Sequence, residues 1–309
     1  MPEIIHTSNL SKQFTEVKAV DDLSFSVQNG EVYGFVGQNG AGKSTTIRML
    51  LTLIRPSNGT ISIFGKDIQS HRKEILQKTG AIIEKPDHYK YLTALQNISI
   101  IAKLSGVHLN QKQLMQQLEK VGIAERANSK VKTFSQGMKQ RLGIACALVH
   151  DPELIILDEP TNGLDPQGIA DIRNLILHLS KNEGKTIFVS SHLLNEMELI
   201  ADSMLIIDQG KKLAEGKVHD LLNPADTLVE IDTTNNETTK AILQQSQWSI
   251  GLQLSEKTIL KMHRKEIPNL TKFLVEQNVE ILAIVPKHSL EDYFLSLTTA
   301  NQHVAAYQN

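Results

Sequence analysis

Residues 37–44 read GQNGAGKS, three glycines leading to a lysine and a hydroxyl. At this spacing the backbone of Gly37, Gln38, Asn39, Gly40, Ala41 and Gly42 can curl its N–H groups around an anion. Lys43 adds a point charge for β- and γ-phosphates, and Ser44, followed by Thr45, offers a hydroxyl to Mg²⁺. Further on, the apolar run LIIL ends in Asp158 and Glu159, and the run TIFVSS ends in His192. Asp158 is suited to hold a divalent cation. Glu159 is suited to orient and polarise a water, and His192 to reach a terminal phosphate. The chemistry open to this set is hydrolysis of a nucleoside triphosphate.

Such side chains converge only if the elements carrying them end at one edge of a sheet. EVYGFV reads as a strand before the glycine loop, and KSTTIRMLLTLI as a helix after it that Pro56 stops. From Ser135 onward the pattern alternates helix, LIILDEP, helix 168–182, TIFVSS, helix 193–201 and MLIID, which predicts a mainly parallel sheet wrapped by helices. Strand-like segments up to about Val27 predict an antiparallel β layer, with Asn29-Gly30 as a hairpin turn into EVYGFVG. Residues 93–130 carry Leu and Ile at helical spacing and predict a helical insertion, within a helical subdomain of about 86–150. The fold class is α/β, a phosphate-loop parallel core with an antiparallel β subdomain and a helical subdomain. We expect this domain to cover 1–222, and 223–309 to form a small α+β domain ending in SLEDYFLSL, with Leu290, Phe294 and Leu297 on one helical face.

The 309 residues are 40% hydrophobic, enough for a substantial core, and the formal net charge of −2 gives no global field for nucleic acid. The single cysteine, Cys146, excludes an internal disulfide and a cysteine metal cluster, and its run GIACALV reads as core. The N-terminus has no signal pattern and the apolar runs are too short for a bilayer span, so we expect a cytoplasmic chain that does not itself cross a membrane.

The ordered motifs GQNGAGKS, FSQGMKQR, LIILDEPTNGLDP and SSH resemble the nucleotide-binding subunit of ATP-binding cassette transporters, over residues 3 to about 220. The resemblance implies a cassette that binds ATP and Mg²⁺ and pairs head to tail with a second one, in a homo- or heterodimer. Ser135 and Gly137 would then touch the partner's γ-phosphate from a helix N-terminus. It also implies that Asp165 of NGLD lies at the dimer interface and that Phe14 stacks on adenine. The family's usual LSGGQ is FSQGM here, so Gln136 replaces a glycine. A membrane-spanning permease encoded separately would be the other partner, placing the chain at the cytoplasmic face of the membrane. No coiled-coil insertion, second cassette or basic arm points to nucleic acid or ribosomes. Intact Lys43, Asp158, Glu159 and His192 argue against a catalytically silent cassette.

GAIIEKP ends a strand-like run on Glu84, where most of the family has a glutamine that reaches toward Mg²⁺ and the attacking water. An ionised glutamate only accepts hydrogen bonds and adds charge beside a hard cation that favours carboxylate oxygen. Glu84 followed by KPDHYKYLTALQNI, together with the FSQGMKQR signature, resembles the bacterial branch that exports bacitracin or protects producers from lantibiotics. Tyr89, Tyr91 and Leu92 are candidates for a groove that accepts a helix of the permease, or for ordinary packing.

Overall fold

The structure is a computed structural model that describes residues 2–221, 227–253 and 258–287. Contacts divide the chain into two units, Met1–Val218 and His219–Asn309.

The first unit opens with β1 (Glu3–Gln13) and β2 (Lys18–Gln28), followed by β3 (Val32–Val36) and α1 (Lys43–Leu50). Next come β4 (Asn58–Ile63), β5 (Lys66–Asp67), α2 (Arg72–Gln77) and β6 (Thr79–Ile82). The helical segment holds α3 (Ala94–Leu104), α4 (Gln111–Lys120) and α5 (Gln136–Leu148). The core resumes with β7 (Leu154–Asp158), α6 (Pro166–Lys181), β8 (Thr186–Ser191), α7 (Leu194–Ile200), β9 (Ser203–Asp208) and β10 (Lys211–Lys217). A short α8 (Val218–Leu221) spans the division.

Two sheets result. One is antiparallel, in the order β2-β1-β4-β5; the other runs β10-β9-β3-β8-β7-β6, parallel except for β10. Every residue of β3, β7 and β8 is buried, as strands covered on both faces require. Phe25 of β2 packs on Tyr33, Phe35 and Phe188, with ring centroids 5.9, 5.9 and 6.1 Å away, so one aromatic cluster joins the two sheets. Burying such a side chain contributes roughly 2 kcal/mol. The Tyr33 hydroxyl donates to Glu215 at 2.9 Å; burial, reinforced by that carboxylate, holds the phenol well above its usual range.

Two local expectations are corrected. Asn29-Gly30 is not a hairpin turn, because β2 belongs to the antiparallel sheet while β3 lies between β8 and β9. The turn instead carries the chain between sheets and is pinned by Thr186, whose hydroxyl accepts from Gly30 N at 2.9 Å and donates to Asn29 Oδ1 at 3.1 Å. Pro56 does not stop α1 either. Thr52 takes a left-handed φ of 59°, Thr52 N bonds Met49 O at 3.0 Å and Leu53 N bonds Arg48 O at 2.9 Å. These two bonds satisfy the last carbonyls and end the helix ahead of the proline.

The second unit is β11 (Thr227–Thr233), α9 (Asn236–Gln244), β12 (Leu252–Gln253), β13 (Thr258–Met262), α10 (Ile267–Glu276) and β14 (Ile281–Lys287). Its antiparallel sheet has the order β12-β13-β11-β14, the split βαββαβ arrangement. Val229, Ile231 and Leu260 pack with Leu243, Leu270 and Leu274 of the two helices in a core of its own. The stretch 289–297, with Leu290, Phe294 and Leu297, lies outside the described residues.

Candidate active site

Strand order places the site. β8 lies between β3 and β7, so the glycine loop after β3, the acids closing β7 and the Ser-Ser-His after β8 emerge side by side at the C-terminal edge of the parallel strands. Ligands of open α/β sheets bind at that edge.

The loop leads straight into α1, whose first amides have no partner within the helix and point outward with the positive end of its dipole. Only glycine fits at two of its positions. Gly42, the N-cap, has φ 105°, and a Cβ there would sit 2.4 Å from Ala19 O; at Gly37 a Cβ would sit 2.4 Å from Ile207 O. Gly37 N donates to Ser191 O at 3.2 Å, tying the loop to β8.

Lys43 is buried, and its ammonium donates to the carbonyls of Gly37 at 2.6 Å and Gln38 at 3.1 Å. It also lies 3.1 Å from Glu159 Oε1, while Glu159 Oε2 is 2.6 Å from Nδ1 of His192. One carboxylate therefore bridges the phosphate-loop lysine and the histidine. With Nδ1 engaged, the ring nitrogen left for a substrate is Nε2. Glu159 has a left-handed φ of 49°, an uncommon conformation for a glutamate at a strand end.

Ser190, which sequence reasoning did not single out, holds this corner. Fully buried and opposite Asp158 in the β7–β8 register, it donates to Asp158 Oδ1 at 2.6 Å and accepts from Glu159 N at 3.0 Å. The available signal was a serine directly after the apolar run Ile187–Val189, a position that a buried hydroxyl occupies only with partners to satisfy it.

The donor set also fits a small hard cation. Asp158 is buried and its Oδ2 has no hydrogen-bond partner among the described residues, nor does the Ser44 hydroxyl make a side-chain hydrogen bond there. One carboxylate and one hydroxyl, completed by phosphate and water oxygens, is how Mg²⁺ is usually held.

Other predicted residues lie apart from this cluster. β6 stops at Ile82, so Glu84 does not end a strand; it follows in a turn with φ 56°, is exposed, and pairs with Arg48 of α1. Ser135 caps α5 by accepting from Met138 N at 3.2 Å and is exposed; Gly137 is in the first turn of that helix, facing Leu164. Asp165 caps α6 by accepting from Gly168 N at 3.0 Å. Phe14 is exposed in the β1–β2 turn, with Lys12 Nζ 5.2 Å from its ring centroid. Cys146 is only partly buried, on α5, and burial pushes its thiol up to about 12.

A model of the ABC transporter family matches residues 20–162. Across 300 residues the chain is 43% identical to the bacitracin transport ATP-binding protein BcrA of Bacillus licheniformis, covering 96% of this chain and 98% of that protein. The chain belongs to the ATP-binding subunits of ABC transporters. It is also 40% identical over 212 residues to the lantibiotic transport ATP-binding protein SrtF of Streptococcus pyogenes, covering 69% of this chain and 90% of that one. A solved ATP-binding subunit of an ABC transporter superposes with a TM-score of 0.63 at 32% identity, over 71% of this chain and 91% of that structure's chain. This ABC subunit thus binds and hydrolyses ATP, and its structure brings Lys43, Glu159 and His192 into one bridged cluster. Among the described residues no helix is long and apolar enough to cross a membrane.

Proposed function

We propose that this ABC subunit powers export of antimicrobial peptides of the bacitracin or lantibiotic kind, at the cytoplasmic face of the membrane, with separately encoded permease subunits. Similarity to BcrA over almost the whole length of both chains carries this assignment, and SrtF supports it over 69% of this chain. Two cassettes close head to tail on ATP. The exposed N-terminus of α5 then presents Ser135 and Gly137 to the partner's γ-phosphate, and Asp165 lies at the interface. Phe14, exposed at its turn, stacks on adenine.

Within one site, Lys43 exchanges loop carbonyls for phosphate oxygens as nucleotide enters, which frees Glu159 from one of its two partners. Glu159 then orients a water for in-line attack, while His192 Nε2 steadies the γ-phosphate. Ser44, Asp158 and Glu84 would hold Mg²⁺, which supplies charge neutralisation of the β- and γ-phosphates. Reopening after hydrolysis drives the permease through residues following Glu84. Tyr89 and Tyr91 are strongly exposed there and are suited to line the permease groove beside the partly buried Leu92.

The test is survival of cells carrying this chain and its permease in bacitracin or a lantibiotic, comparing wild type with Glu159→Gln. Protection by wild type alone is the expected result. Protection by neither, with purified protein still hydrolysing ATP, would move the substrate to another class.

A further inference from the structure

Glu84 has one positive partner among the described residues. Its exposed carboxylate pairs with Arg48, whose side chain is itself partly exposed. Arg48 lies four residues after Ser44 on α1, on the same face and one turn further along, about 6 Å away by helical rise. Side chains on a helix lean toward its N-terminus, so Arg48 leans back toward the turn that carries Ser44.

The backbone reinforces this placement. Glu84 and Glu159 both adopt left-handed φ, at 56° and 49°, just after β6 and at the end of β7. Neither is glycine, asparagine or aspartate, the residues that take this conformation most readily.

We propose that Arg48 is a positioning residue that competes with the divalent cation for Glu84. This role rests on Glu84 being a metal-side residue. Paired with Arg48, Glu84 is neutralised and parked, so its charge does not repel an incoming polyphosphate. When metal-bound ATP fills the site, the carboxylate transfers from guanidinium to metal. An exposed ion pair is weak enough to be exchanged in this way, whereas a buried one would not be. A glutamine at position 84 would need no such partner, which is why the arginine matters to a cassette that carries glutamate.

The experiment measures ATP binding to the purified full chain by displacement of a fluorescent trinitrophenyl ATP analogue, with saturating Mg²⁺ and with EDTA. The quantity read is the ratio of the two dissociation constants, EDTA over Mg²⁺. Arg48→Gln frees Glu84 to ligate metal and to repel bare ATP, so the ratio should rise about 1.5- to 5-fold, the range an exposed ion pair supports. Arg48→Lys, which keeps the charge, should stay near wild type. In a Glu84→Gln background, Arg48→Gln should leave the ratio unchanged. An unchanged or lower ratio in Arg48→Gln overturns the proposal, as does the same rise in both backgrounds. Glu84→Gln alone should lower the ratio. If it does not, the metal-side role of Glu84 fails as well, whereas a lowered ratio with no effect of Arg48→Gln refutes the arginine's role alone.

Discussion

Replacing Ser190 with alanine should destabilise the first unit far more than the loss of one hydroxyl from a strand ordinarily does. Ser190 is fully buried, donates to Asp158 Oδ1 at 2.6 Å and accepts from Glu159 N at 3.0 Å. A hydrogen bond to a charged group contributes about 1.5–3 kcal/mol and a neutral one about 0.5–1.5, so together they come to about 2–4.5 kcal/mol. Because Asp158 Oδ2 has no partner among the described residues, the substitution leaves that carboxylate without a side-chain donor there. Urea unfolding, followed on the transition of the larger unit, measures the loss, since a chain of two units need not unfold in one step. Combining Ser190→Ala with Asp158→Asn locates it: coupling of about 1 kcal/mol or more is expected between groups in direct contact. A loss below about 0.5 kcal/mol, or additivity of the two changes, would show that Ser190 does not hold the acidic corner.

Glu159→Gln should retain ATP binding but lower phosphate release by about 10²–10⁴-fold, the usual contribution of a positioned base. Single-turnover release from bound ATP checks this. Burial depresses the pKa values of His88 and His150, so the unfolded chain takes protons that the folded chain resists. Their contribution to stability is therefore complete above about pH 6.5 and lost as pH falls toward the lowered folded values; urea midpoints across pH 5–8 should flatten in His88→Gln and His150→Gln. With its thiol pushed up to about 12, Cys146 is about one part in 10⁴ thiolate at pH 8, and its alkylation in native protein should be roughly a thousand-fold slower than after denaturation.

The cluster of Lys43, Asp158, Glu159 and His192 was legible because its members are adjacent in the sequence to strands that end at the same edge. GQNGAGKS, Asp158-Glu159 and His192 each follow an apolar run, and a parallel sheet needs no more than that to bring them together. The supports were less legible. Ser190 meets its partners only through the β7–β8 register, which a single sequence does not specify, and Arg48 pairs across 36 residues with Glu84, at a turn whose left-handed backbone no propensity announces. The Asn29-Gly30 turn misled for a related reason. Its dipeptide favours φ > 0, and Gly30 does have φ 80°, but the same conformation serves a step between sheets as well as a hairpin.

The segment after Glu84 explains how one side chain's state could reach the N-terminus of α5. Pro86 packs against Gly143 of that helix, where a Cβ would come within 2.8 Å of its ring, so the small residue admits the close approach. His88 bonds the Lys139 carbonyl at 2.9 Å, in the first turn after Ser135. Asn97 of α3 grips Tyr89 from both sides, accepting from its N–H at 2.9 Å and donating to its carbonyl at 3.1 Å. Val131 N and Lys132 N then donate to Leu92 O and Lys90 O at 3.0 and 2.8 Å. Residues 86–92 are thus bonded to the helical segment at successive points, whereas Glu84, two residues earlier, is held to the phosphate-loop helix by one exposed ion pair. The weak link in this chain of contacts is at Arg48 and Glu84.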